Sequence, residues 1–409
     1  MTIEKNKRSE SKRSAPLARR ALAGLVVLTL VGSACGNRLA GDASGVVNMV
    51  ETDETLAEET EVLGESEESN SGDSAVPFGQ PGGPDFDDDG SAAGDAGSAA
   101  SSGEIRSWSG VPDGVVQIFI EGAFVRADFD SLTIFRNPDS VLGGSGFTID
   151  GEGLILTNNH VVSGASSIDV RLPGDSRSRN AQVLGTSECW DLAVIRANNV
   201  TDGRYFRWIE ESPPVATDVY AVGFPLLDEE ITVTKGVISK ASVVAHTRWA
   251  SVEDAIETDA DINPGNSGGP LVTENGTVVG INFAGNDLRQ GFAIKADAAM
   301  AVVERLMAGE DVDYLGINGL AVSNFDTNGI LPNDVPGGIF VESIETGSPA
   351  FTAGVRAGDI ITSVEGTSIA ADGTMSEYCD ILRTKNAADD LLVTVLDPDG
   401  ESFELLIER

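Results

Sequence analysis

From about Val111 onward the chain is written in short apolar runs: VVQIFI, SGFTID, GLILTN, SSIDVRL, DLAVIR, DVYAVGF, TVTKGVIS, PLVTENGTVVGINF and GFAIK. They are rich in β-branched and aromatic residues and are divided by Gly, Pro, Asn and Asp, the pattern of consecutive strands. Asn275-Gly276, between LVT and VVGI, predicts a hairpin, because both central residues of a type I′ turn need φ > 0. Closely spaced strands with few helices predict an all-β barrel or sandwich. One stretch breaks the pattern. DAAMAVVERLMAG reads as a helix, with Asp297 as the expected N-cap and Gly309 as its stop, and it marks the end of a domain.

After that helix the strand pattern begins again with YLGINGLAV, GGIFVESI, DIITSVEG and LLVTVLDPDGESFELLI. Among them TMSEYCDILR has Met375, Tyr378 and Leu382 at helical spacing. A second domain of about 95 residues is expected, mostly β with one or two helices. It gathers no acid, base and nucleophile together, so it reads as a binding module. Two domains also suit the length, since 409 residues exceed what one hydrophobic core usually serves.

Charge changes the picture at the N-terminus. Residues 36–105 hold 17 acids and one base, Arg38, and such a segment cannot bury enough apolar surface to offset its ordering entropy. A disordered, self-repelling tether is expected there, spanning on the order of 45 Å. Within it Asp85-Phe86-Asp87-Asp88-Asp89-Gly90 imitates the start of a calcium loop, but the twelfth position is Ala96 instead of a bidentate Glu. No metal site is assigned. Residues 1–34 carry seven Lys and Arg against two acids, then the 14-residue apolar run ALAGLVVLTLVGSA before Cys35, which reads as a secretory leader too short to span a bilayer. Gly32-Ser33-Ala34-Cys35 resembles a bacterial lipobox, which implies lipidation of Cys35 and a membrane anchor. A cleaved signal and an uncleaved anchor are the alternatives, and all three put the folded part outside the cytoplasm. The net charge of −38 excludes nucleic acid as a partner, because phosphates would be repelled. Cys189 and Cys379 fall in different expected domains, so they are read as inert thiols and not as a disulfide.

The candidate chemistry centres on Gly265-Asn266-Ser267-Gly268-Gly269. A serine hydroxyl needs a general base, usually an oriented histidine, and the chain has two, His160 and His246. Both precede Ser267, which excludes the α/β-hydrolase elbow, whose histidine follows the serine. His160, Asp191, Ser267 is the trypsin-like order, and Asp191, His246, Ser267 the subtilisin-like one. The second needs a parallel sheet with helical crossovers, which the strand pattern lacks, so His160 is favoured and His246 is expected on a surface loop.

SGFTIDGEGLILTNNHVV, DLAVIR and TDADINPGNSGGPLVTENGTVVGIN, spaced by 31 and 76 residues between His160, Asp191 and Ser267, resemble the three catalytic blocks of the HtrA/Deg family of trypsin-like serine proteases. The resemblance covers roughly residues 111–409. It implies an all-β chymotrypsin/trypsin-like double β-barrel protease domain over 109–309 and a PDZ domain, a small β-sandwich with helices, over 310–409. Before them stand the leader (1–34) and the disordered acidic linker (35–108). His160 is then the general base, Asp191 its orienting acid and Ser267 the nucleophile, with the N–H groups of Gly265 and Ser267 as oxyanion hole and no cofactor. Asn266 stands where many relatives of trypsin carry an Asp clamped by a new N-terminus, so that activation route is absent. By the same resemblance Ile262, Asn282 and Gly285 lie near the substrate pocket, wide and suited to apolar side chains, and Tyr314-Leu315-Gly316-Ile317 forms a carboxylate-binding loop. The implied partners are unfolded proteins as substrates, peptide C-termini at the PDZ domain, and further copies of the chain in trimers or larger assemblies. A non-proteolytic chaperone or peptide-sensing scaffold on the same fold is the competing function.

Overall fold

Every apolar run named above from VVQIFI to GFAIK becomes a strand or part of one. The computed structural model describes residues 46–48 and 103–409, apart from 129–132, 176, 201–202, 226–229, 287, 324–330 and 333–334. The leader, Cys35 and the acidic motif Asp85–Gly90 lie outside the described residues.

Two short strands, β1 (Val46–Asn48) and β2 (Glu104–Ile105), precede the long hairpin of β3 (Val115–Asp128) and β4 (Thr133–Thr148). With β5 (Leu154–Thr157), β6 (Ser167–Arg171), β7 (Arg179–Ser187) and β8 (Leu192–Ala197) the hairpin closes a barrel in the order β3-β4-β5-β8-β7-β6. Val116, Ile118, Ile120, Ile155 and Ile195 fill it, as period-two alternation requires of inward positions. After β9 (Tyr205–Trp208) come β10 (Asp218–Gly223), β11 (Thr232–His246), β12 (Ser251–Thr258), β13 (Pro270–Val272), β14 (Thr277–Gly285) and β15 (Gly291–Lys295). The antiparallel pairings β13-β10-β11-β12-β15-β14 return to β13, closing a second barrel. Asn275-Gly276 forms the β13–β14 turn, but only Gly276 takes a positive φ, at 78°, so the hairpin is present without the type I′ turn that the pair predicts.

One buried cluster joins the barrels: Phe147, Leu156 and Leu192 from the first meet Val222, Ile281 and Phe283 from the second. The short helix α1 (Asn159–Val162) sits just beyond β5, and α2 (Ala296–Met307) packs back from the end of β15 onto β7 and β8. Asp297 is not the N-cap of α2. Lys295 holds that position, while Asp297 lies in the first turn, where a carboxylate favours the positive end of the helix, and accepts a hydrogen bond from Ser212 Oγ at 2.8 Å. Gly309, at φ 83°, ends the helical path as expected.

The folded body starts earlier than the expected linker boundary at residue 108. Glu104–Ile105 pairs in parallel with Tyr205–Phe206, and Ile105 is buried in the central cluster. Apolar Ile105 and Trp108, isolated among polar neighbours, gave too little periodicity to be read as part of a strand-bearing domain.

The C-terminal domain comprises β16 (Ile317–Ser323), β17 (Gly337–Ile344), α3 (Pro349–Ala353), β18 (Ile360–Val364), β19 (Thr367–Ser368), α4 (Ser376–Thr384), β20 (Leu391–Leu396) and β21 (Ser402–Ile407). Its sheet runs β16-β17-β18-β20-β21, with β19 paired to β18. Met375, Tyr378 and Leu382 are buried in its core as the helical spacing predicts. The expectation of two inert thiols is wrong. Cys189 and Cys379, 190 residues apart, form a disulfide with a Cα–Cα separation of 5.4 Å, because the turn before β8 enters the C-terminal core, where Cys189 is counted among the buried residues. Among the described residues no helix is long and apolar enough to cross a membrane, and no His/Cys/Asp/Glu cluster could hold a metal ion.

The joint between the barrels can be tested at Phe147, fully buried and edge-to-face with Phe206 at 5.6 Å. Phe147→Ala should destabilise the chain by about 3–5 kcal/mol in urea denaturation, whereas a loss below about 1 kcal/mol would mean the cluster tolerates collapse there.

Candidate active site

β5 and β8 are antiparallel neighbours, with Thr157 opposite Ala193. The chain leaves β5 into α1, which carries His160, and enters β8 immediately after Asp191, so both side chains emerge at one end of the first barrel. Asp191 Oδ2 lies 2.7 Å from His160 Nδ1, and Oδ1 accepts the His160 backbone N–H at 2.9 Å. Asn158 Nδ2 donates to the Asp191 carbonyl at 2.8 Å. The Asp191 side chain is fully buried while that of His160 keeps 25% of its surface. Such an acid can fix the imidazole tautomer and stabilise its charged form without itself leaving the pair. Asp191 also has φ 52°, a costly conformation for a residue with Cβ that persists only where its surroundings enforce it. Trp249 supports the imidazole from the side, with ring centroids 5.4 Å apart.

The serine loop is fastened to the first barrel through Ser145. Its N–H donates to the Ser267 carbonyl at 2.9 Å, its Oγ donates to the Gly265 carbonyl at 2.6 Å and accepts Phe224 N–H at 2.8 Å, and its carbonyl accepts Thr157 Oγ1 at 2.7 Å. Gly268 completes the fit. A Cβ there would stand 2.3 Å from both Ser145 O and Thr157 Oγ1, and 3.0 Å from Asn158 N, and its φ is 81°; only glycine serves. Ser267 is thereby held beside the segment that leads into His160. Gly265 is at φ 98°, and among the described residues neither its N–H nor that of Ser267 has an acceptor, nor does the Ser267 hydroxyl have a partner. Two unused donors beside a partly exposed hydroxyl can meet a developing oxyanion. Asn266 is buried, with both amide atoms unbonded among the described residues. A carboxylate at this place would require a cation, so the amide is the less costly occupant.

A model of the trypsin-like peptidase domain matches residues 144–281, and a PDZ-domain model matches residues 340–396. HhoA of Synechocystis sp., a protein named as a serine protease, is 42% identical over 248 residues, covering 56% of this chain and 61% of that one. The serine protease Do-like HtrA of Lactococcus lactis subsp. cremoris is 33% identical over 274 residues, covering 62% of this chain and 66% of its own length. The chain belongs to the HtrA family. A DegP-like protein of Hahella chejuensis, named as a periplasmic serine endoprotease, is 38% identical over 258 residues, covering 60% of this chain and 53% of that protein. The chain thus spans less than two thirds of each of these HtrA relatives.

The expected pocket residues divide. Ile262 and Gly285 are adjacent, and a Cβ on Gly285 would meet the Ile262 carbonyl at 2.3 Å, so a close backbone approach requires glycine there. Asn282 is sealed. Its amide donates to Pro270 O at 3.2 Å, and its backbone exchanges bonds with Gly268 and Gly269. It braces the serine loop and does not line an open cleft. His246 ends β11 instead of lying on a surface loop; it is 2.9 Å from Ser251 Oγ, and burial holds its imidazole below the ordinary range.

The PDZ domain of this HtrA chain already holds a carboxylate. The N–H groups of Leu315, Gly316 and Ile317 donate to Glu188 Oε1 at 2.9, 2.7 and 3.0 Å, and Tyr378 OH donates to Oε2 at 2.6 Å. Gly316, at φ 83°, lets successive N–H groups converge. Tyr314, the fourth expected loop residue, gives no bond to Glu188 and donates its hydroxyl to Glu345 Oε2 at 2.5 Å. Burial pushes the Glu188 carboxyl above its usual range, against the pull of the Tyr378 hydroxyl and the three N–H groups. Burial likewise raises the Tyr378 hydroxyl and keeps it a donor.

Ser145, Trp249 and Glu188 were not foreseen. Ser145 lies in the small-residue string GGSG, which carries no period, and Trp249 lies in a turn. Ser145→Ala removes the bond to the Gly265 carbonyl and should slow fluorophosphonate labelling of Ser267 about tenfold, or ~1.4 kcal/mol; an unchanged labelling rate would show that the loop holds its shape without that bond.

Proposed function

We propose that this HtrA chain is an extracytoplasmic serine endopeptidase acting on unfolded or misfolded proteins. The observation that carries the reading is the doubly bonded Asp191–His160 pair next to the Ser267 loop. With Nδ1 held by Asp191, Nε2 is left to take the Ser267 proton as Oγ attacks the scissile carbonyl. The tetrahedral oxygen is met by the Gly265 and Ser267 N–H groups, each donor contributing about 3–4 kcal/mol in the transition state. His160 then returns the proton to the leaving amine, and water repeats the cycle on the acyl-enzyme.

The leader, Cys35 and the acidic tether support export and anchoring of the domains to a membrane through a lipidated N-terminus, and the periplasmic naming of the Hahella relative agrees with export. Family membership supports assembly into trimers or larger forms and a PDZ groove that takes peptide C-termini. Asp261, the acid next to Ile262, is paired with Arg289 at 3.1 Å, so apolar side chains are the preferred class.

Ser267→Ala should abolish cleavage of a reduced, unfolded protein, and Asp191→Asn should lower kcat about 10⁴-fold with KM little changed. A fluorophosphonate probe should label Ser267 in the wild type only. Equal cleavage by wild type and Ser267→Ala, or no labelling at all, would instead favour the non-proteolytic chaperone or scaffold.

A further inference from the structure

The groove in which a PDZ domain would add a peptide strand lies between the free edge of β16 and α4. In this chain the protease domain bonds to the walls of that groove at three places. Glu188 sits where a terminal carboxylate would sit. Beyond it, Ala321 N–H on the same edge donates to Arg248 O at 2.7 Å, and Arg248 Nε donates to Ala321 O at 3.1 Å. On the helix side Met375 N–H donates to Thr247 O at 2.9 Å. Strand-edge bonds at one side, helix contacts at the other and a carboxylate at the end reproduce the contacts of a bound C-terminal peptide. Cys189, adjacent to Glu188, is bonded to Cys379 in α4, the groove's own wall.

We propose that Glu188 is an internal ligand of the PDZ groove, latched by the Cys189–Cys379 disulfide, so that the oxidised chain excludes peptide C-termini and the chain lacking this bond admits them. This rests on reading the groove as a peptide site. A ligand tethered within the same chain competes at an effective concentration of order mM, and a covalent bond beside it removes its freedom to leave. A peptide must displace it without help. A dithiol reductant would open the latch by exchange: its thiolate attacks one cystine sulfur, the Cys189–Cys379 bond breaks, and the mixed disulfide is resolved by the second thiol. Cys189 and Cys379 leave as two thiols, having gained two electrons and two protons, and the reductant leaves as its disulfide. Both cysteines are fully buried, so exchange needs the turn to open first, and the latch is a slow one set largely when the chain oxidises on folding.

The test uses the full chain carrying Ser267→Ala, so that bound peptides survive. Three forms are compared: oxidised, refolded under a dithiol, and Cys379→Ser. Hydrogen exchange at 315–317 should be at least about tenfold faster in the second and third forms, while exchange in β20 and β21 stays the same and reports an intact domain. Beads bearing random decapeptides with free C-terminal carboxylates should retain the reduced form and Cys379→Ser but not the oxidised form, and beads with amidated C-termini should retain none. Retention of oxidised and reduced forms alike, retention of neither, or equal exchange at 315–317 would overturn the proposal. Fluorophosphonate labelling of chains that keep Ser267 reports separately on the peptidase reading, so the two can fail independently.

Discussion

The turn Glu188–Asp191 must place two carboxylates in opposite directions within four residues. Glu188 enters the C-terminal domain and is bonded by three N–H groups and a tyrosine hydroxyl, while Asp191 enters the cleft and is bonded twice by His160. Cys189 is covalently fixed between them, and its carbonyl accepts Ser251 N–H at 3.1 Å. The positive φ of Asp191 follows from this constraint. A chain that reverses its side-chain direction so sharply and then enters β8 must pass through an unfavoured conformation, and the bonds on either side hold it there. The acid paired with His160 and the carboxyl held by the PDZ domain are therefore set by one short segment.

The serine loop shows the complementary solution, with contacts in place of charges. Ser145 spends its N–H, hydroxyl and carbonyl on three different segments, and Gly268 allows the loop to lie against Thr157 and Asn158. Ser267, the candidate nucleophile, belongs to the second barrel and His160 to the first, so their separation is set by how Ser145 bridges the two. Removing any one bond should shift the loop slightly, and catalysis is sensitive to such shifts because reacting atoms must be held within a fraction of an ångström.

The parts visible in the sequence were those with a local cause. Strands such as GLILTN and DLAVIR declared themselves by β-branched content, the β13–β14 hairpin by Asn275-Gly276, and α4 by Met375, Tyr378 and Leu382. The order of the two histidines and Ser267 was enough to reject the α/β-hydrolase elbow, and the strand pattern removed the subtilisin-like reading that order alone left open. What stayed hidden depends on distant approach. Gly285 faces the Ile262 carbonyl across 23 positions, so its role could not be told from that of a pocket glycine. The disulfide joins residues 190 apart, and the domain-by-domain reading that found the fold correctly was the same reading that argued against the bond. Glu188 looked like one acid among 65, although Cys189 and Asp191, one and three positions on, each carried a reading.

Why a carboxylate should occupy the PDZ loop follows from the balance of terms there. Burying an unpaired carboxylate costs several kcal/mol, and burial pushes the Glu188 carboxyl above its usual range while its hydrogen bonds pull the other way. The converging N–H groups of Leu315, Gly316 and Ile317 would themselves be costly to bury without an acceptor. Each half is unfavourable alone, and together they offset one another. An incoming peptide carboxylate faces the same balance at the same atoms, and additionally loses its translational and rotational freedom on binding. The loop chemistry therefore gives neither ligand a decisive advantage. The difference lies in the tether, which is the chain itself, and in the Cys189–Cys379 bond that locks it in place.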